Sequence, residues 1–144
     1  MKYLILLLLT ANLGASYAQD NCSDFHVGYF EYTVHEERYI IYRTETHQIE
    51  YGLNTDDWIV LSLEWSSDCA YSMRYLSAST PGLIDIVGGK ILKSRIVNSD
   101  ESGYKFVSIM DGINIEDQGE ISTLTSKLTS GQKKKIKRTL KKNR

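Results

Sequence analysis

Alternation of apolar and polar residues with a period of two runs through most of this chain, and short polar or glycine-containing breaks interrupt it. The stretch Trp58 to Trp65 sets Ile59, Leu61, Leu63 and Trp65 on one side of a strand and Ser62 and Glu64 on the other. Cys69 to Tyr75 repeats the pattern with Tyr71, Met73 and Tyr75 facing inward, and Ser66-Ser67-Asp68 between the two suits a hairpin turn. Further strands are expected over 24–33, 37–44, 48–53, 90–98, 104–110 and 115–123. They are separated by Glu45-Thr46-His47, Asn54-Thr55-Asp56, the run from Asn98 to Gly103 and Asp111-Gly112. Short links favour antiparallel neighbours, so the expectation is an all-β antiparallel meander of about eight strands. A barrel or a two-layer sandwich hides the edges of such a meander best. One proline, Pro81, leaves the ladders uninterrupted. The longest break, Ser77 to Gly89, reads as a crossover in which Leu83, Ile84, Ile86 and Val87 could form one helical turn at a barrel end.

Compartment follows from the N-terminus. Lys2, the apolar run Tyr3 to Leu9 and the small residues around Ser16-Tyr17-Ala18 have the layout of a secretory signal peptide over 1–18. A membrane-spanning helix needs about 20 apolar residues, and Thr10, Asn12 and Gly14 interrupt this run too early. Gln19-Asp20-Asn21 are polar where a lipidation signal before Cys22 requires small apolar residues. The mature protein is expected to be secreted or periplasmic, with a β domain over 19–125 and a basic tail over 126–144. Cys22 and Cys69 are expected to pair in that oxidising setting. A loop of that length restricts the unfolded chain by roughly 4 kcal/mol in the chain-entropy model. Two buried free thiols are the alternative, and the pair has no metal-ligand spacing.

A net charge of −1 conceals a strong asymmetry. Residues 19–125 hold seven Lys and Arg against eighteen Asp and Glu, whereas 126–144 hold nine basic residues and no acidic one. Ser130 is placed to cap a short helix from Gly131, with Ile136 and Leu140 on one face. Lys133, Lys134, Lys135, Lys137, Arg138, Lys141 and Lys142 surround them and form a candidate contact for an anionic membrane or envelope surface. The rival reading is a solvated terminus that stays disordered or folds back on the acidic body. Nucleic acid is disfavoured as a partner by export and by the lack of an aromatic or groove-reading element near the tail.

The chain also resembles a family of small secreted or lipid-anchored β-rich proteins of Gram-negative bacteria. The resemblance rests on Asn21-Cys22-Ser23-Asp24-Phe25, Gly28-Tyr29-Phe30, Arg43-Thr44-Glu45 with Gln48-Ile49-Glu50, Trp65 to Tyr71, and Gly119. It covers roughly residues 21–124 and excludes the basic tail. The family has no established activity, so it implies an exported β protein and carries no functional residue over. A topoisomerase label on some members finds no counterpart in these residues, which lack an ATP site and a metal-binding acidic cluster.

No catalytic motif is present. Gly-x-Ser-x-Gly is absent, and Ser66 and Ser67 read as hairpin residues. His26, His35 and His47 lack the spacing of a zinc site, although neighbouring strands could bring His35 and His47 together. Gly88-Gly89-Lys90 lacks the spacing and the following Ser or Thr of a phosphate loop. In the run from Asp111 to Glu120, Ile113 stands where the second oxygen ligand of a calcium loop belongs. Glu36-Glu37 and Asp56-Asp57 fall in predicted turns. The expectation is a noncatalytic protein without cofactor or metal, whose interior is filled by side chains or holds one small hydrophobic ligand, or which binds an envelope component.

Overall fold

The computed structural model describes residues 21–144, apart from the side chains of residues 114 and 115. The leader expected over 1–18 lies outside them. The chain forms β1 (Gly28–Val34), β2 (Glu37–Arg43), β3 (His47–Gly52), β4 (Trp58–Ser67), β5 (Ala70–Ala78), α1 (Leu83–Val87), β6 (Ile91–Asp100), β7 (Gly103–Met110), β8 (Ile113–Thr123) and α2 (Ser130–Asn143). Each strand pairs antiparallel with the next, and β8 returns to β1 through Phe30 opposite Thr123 and Glu31 opposite Ser122. The expected meander therefore closes as an eight-stranded barrel, joined at the β1–β8 seam by those two residue pairs alone.

Several boundaries differ from the sequence reading for local reasons. The strand expected from Asp24 begins at Gly28, because Ser23–Phe25 fold as a 3₁₀ turn. The β1–β2 hairpin turns on His35 and Glu36, which take φ of 48° and 67° without a glycine. In the longest break α1 does form, with Val87 buried, but none of its residues lines the interior cavity.

The two ends of the barrel are built differently. Gly28, Arg43, His47, Ser67 and Ala70 lie at one end, and the 3₁₀ turn closes it. Phe25 packs there against Tyr104 at 4.9 Å and Phe30 at 6.0 Å between ring centres. The Cys22–Cys69 disulfide ties this cap to the β4–β5 turn, with Cα atoms 5.2 Å apart. Asp68 reinforces the tie by accepting the Cys22 N–H at 2.9 Å, while the His26 ring stacks on Trp65 at 3.7 Å.

Buried residues divide into an interior cluster and an exterior one. Phe30, Ile41, Leu61, Leu63, Tyr71, Met73, Ile96, Tyr104 and Ile121 fill the floor and the lower walls. Outside, Ile40, Ile49, Tyr51 and Val60 of β2–β4 meet Leu128, Ile136 and Leu140. Val60, which the alternation assigns to the polar side of β4, is buried because α2 covers that side. Thr129 and Gln132 start α2 with a reciprocal capping box, so the cap is Thr129 and Ser130 is the first helical residue. From Ser130 on, the basic tail is thus a docked amphipathic helix. Among the described residues, no helix is long and apolar enough to cross a membrane.

Candidate functional site

Strand alternation sends Tyr39, Ile41 and Arg43 of β2 toward the barrel axis. Arg43 is fully buried, although charged residues ordinarily face out. Its Nε donates to Gln48 Oε1 at 2.6 Å, Nη1 to the Phe25 carbonyl at 3.0 Å and Nη2 to the Tyr71 hydroxyl at 3.3 Å. The rings of Tyr71, Tyr104, Phe30 and Trp65 surround the guanidinium at 5.0 to 5.9 Å. Burial opposes the charge, but the Tyr104 and Tyr71 phenols offset that cost and hold the Arg43 pKa above its ordinary value. Burial also pushes the Tyr104 phenol well up. Arg43 therefore joins barrel wall to end cap, and it forms the floor of the space above.

That space is a cavity of about 440 Å³ above Arg43, and consecutive residues of β1 (Tyr32, Thr33, Val34) and β8 (Asp117 to Ile121) line it on the β1–β8 side. Ile41, Met73, Leu92, Phe106 and Ile121 supply apolar lining, while Tyr32 and Tyr75 supply aromatic walls. A polar ladder climbs one side from the floor. Gln48 Nε2 donates to Glu50 Oε1 at 2.8 Å, and the Tyr32 hydroxyl donates to Glu50 Oε2 at 2.6 Å. Burial first, and the Glu50 charge second, drive the Tyr32 pKa far above the usual phenol range, so the hydroxyl keeps its proton and donates. Tyr75 is also raised, by burial and then by the Glu50 and Asp117 carboxylates, which puts two acidic groups beside its hydroxyl. Across the barrel the buried Ser94 and Ser108 hydroxyls bond each other at 2.6 Å.

The charges of the lining are uneven. Arg43 is its one cation, whereas Glu50, Asp117 and Glu120 are acidic. Among the described residues none of these three carboxylates lies within ion-pair distance of a basic group. The cavity can thus take an apolar body deep inside and a hydrogen-bond-donating or cationic group near the rim.

The seven basic residues singled out in the sequence separate into two sets. Lys133, Lys135 and Lys137 lie over the rings of Tyr29, Tyr51 and Tyr42 at 5.5 to 5.6 Å, and Lys135 also pairs with Asp56 at 2.6 Å. All seven are exposed, and Lys134, Arg138, Lys141 and Lys142 lie on the side of α2 facing away from the barrel. His35 lies in the β1–β2 turn and His47 begins β3 after the far end of β2, so they are not brought together, and no cluster of three metal-ligating residues occurs among the described residues.

Sequence reasoning missed the interior role of Arg43, Gln48 and Glu50. Their signal is weak. Their positions follow from counting by two from Ile41 and across the β2–β3 pair, in which Arg43 faces Gln48. Comparison with protein-family models, curated proteins and solved structures finds no match to this chain.

Proposed function

We propose that this protein is an exported, noncatalytic binding protein whose barrel holds one small amphipathic molecule. The observation that carries the reading is the open cavity of about 440 Å³, which falls within the roughly 300–1,000 Å³ range of small-molecule sites. Eight strands give an interior that side chains fill or that accommodates one ligand, and here a cavity remains beside the packed interior cluster. The apolar part of the ligand lies against Ile41, Met73 and Phe106, and its donor or cationic group meets Glu50, Tyr75 and Asp117. The Cys22–Cys69 pair supports an oxidising compartment, in keeping with the leader expected from the sequence.

Titration with a neutral apolar fluorescent probe tests this reading. One saturable site per chain is expected, together with loss of binding when Met73→Trp fills the cavity of a protein that still melts cooperatively. Absence of saturable binding, or binding indifferent to Met73→Trp, overturns it.

A further inference from the structure

We propose that the outer face of α2 docks this protein on an anionic lipid bilayer through Lys134, Arg138, Lys141 and Lys142. Positions 134, 138 and 141 follow one stripe of the helix, 142 flanks it, and the stripe lies opposite the buried Ile136 and Leu140. Among the described residues, none of these four side chains forms an ion pair or hydrogen bond within the chain, and all four are exposed. Lys133, Lys135 and Lys137 are instead committed to tyrosine rings of the barrel. The two sets are neighbours in sequence and have different partners.

Two further properties favour a bilayer. First, the helix is already fixed. The capping box holds its start, the Ser77 hydroxyl donates to the Asn143 carbonyl at 2.6 Å at its end, and Ile136 is completely buried. Docking therefore orders no backbone, and the entropy loss that weakens disordered basic tails is already met by folding. Second, the charge is one-sided. Residues 19–125 carry eighteen acidic and seven basic residues, so an anionic plane repels the body and accepts only the helix face. The four cations span residues 134–142 of the helix, a strip of about 12 Å, longer than the roughly 8 Å screening length of physiological salt. The four residues include no apolar or aromatic side chain to enter the acyl layer or to stack on bases. The contact is thus with headgroups, and salt weakens it.

Cosedimentation with vesicles tests the proposal, comparing equimolar phosphatidylglycerol and phosphatidylcholine with phosphatidylcholine alone. The protein is expected to bind only the anionic vesicles and to be released as salt rises. Two triple variants remove the same charge from different faces: Lys134→Gln with Arg138→Gln and Lys141→Gln, and Lys133→Gln with Lys135→Gln and Lys137→Gln. The outward triple is expected to lose binding by on the order of a hundredfold, at roughly fivefold per cation, with an unchanged melting temperature. The inward triple is expected to lose far less binding and to melt lower. If the inward triple does not fold, Arg138→Gln against Lys137→Gln makes the same comparison one residue apart. Equal losses from both faces, or equal binding to the two kinds of vesicle, overturn the proposal. So does an oligonucleotide duplex that competes the protein off the vesicles, which would assign the face to nucleic acid.

Discussion

The guanidinium of Arg43 donates to the carbonyl of Phe25 at 3.0 Å, joining the inside of β2 to the 3₁₀ turn that closes the barrel. One side chain therefore couples cap, wall and cavity floor. Phe25, Gln48 and Tyr71, which supply its acceptors, are all buried residues, so the network holds only while the fork geometry is intact.

Arg43→Met is expected to destabilise the fold by about 3 kcal/mol in urea unfolding, because it strands the Phe25 carbonyl and the Gln48 amide without donors. Arg43→Lys is expected to recover little of that loss. A single ammonium cannot serve both acceptors and the Tyr71 hydroxyl in their fixed directions. A stability equal to wild type in Arg43→Lys would contradict the floor described here.

Glu31 makes acid stability measurable at the barrel seam. Its carboxylate accepts the Thr125 N–H at 3.0 Å and the Thr125 hydroxyl at 2.6 Å, and it pairs with Arg38. Burial alone raises its pKa, but these bonds outweigh burial and hold it below the usual carboxylate value. A depressed folded-state pKa contributes stability above the unfolded-state value, and that stability is lost as pH falls through the folded-state value. Glu31→Gln is expected to cost about 2 kcal/mol at neutral pH and to approach wild type in strong acid. Unfolding curves recorded from pH 7 downward check the convergence. A gap that does not narrow contradicts it.

Gly119 faces Phe106 across the β7–β8 pair, and a Cβ built there would come within 2.5 Å of the ring. Gly119→Ala must therefore displace the Phe106 ring, which lines the cavity. Probe affinity is expected to change several-fold and stability to fall by about 1–3 kcal/mol, the usual cost of added bulk in a packed site. Paired titration and thermal melts separate the two effects.

Ile136 is completely buried between α2 and the barrel, so Ile136→Ala removes packing from both. A loss of about 2–4 kcal/mol is expected in denaturant unfolding. Interior binding is expected to persist, because no residue of α2 lines the cavity. Loss of the cavity site together with the helix contradicts that separation.

Strand count, hairpin order and disulfide partners were legible in the sequence because each rests on local chemistry. Alternation marks strands, polar pairs mark turns, and two cysteines have one way to pair. Alternation alone does not account for the burial of Val60 or Arg43, since it assumes that one face of each strand is wet and that charges point outward. Adjacent apolar residues such as Ile40-Ile41 and Val60-Leu61 mark strands covered on both sides, but they do not say what provides the second cover.

The sequence by itself determined a set of about eight antiparallel strands, the pairing of Cys22 with Cys69 and a segregated block of positive charge, since period, turn residues and charge are properties of neighbours along the chain. Only the tertiary structure decided that Arg43, Gln48 and Glu50 climb one wall of a cavity, and that Lys137 faces Tyr42 while Arg138 faces outward. Those outcomes depend on which distant surfaces meet. The closure of β8 on β1 and the seating of α2 on β2–β4 are set by burial summed over the whole molecule, and no window of neighbouring residues contains that sum.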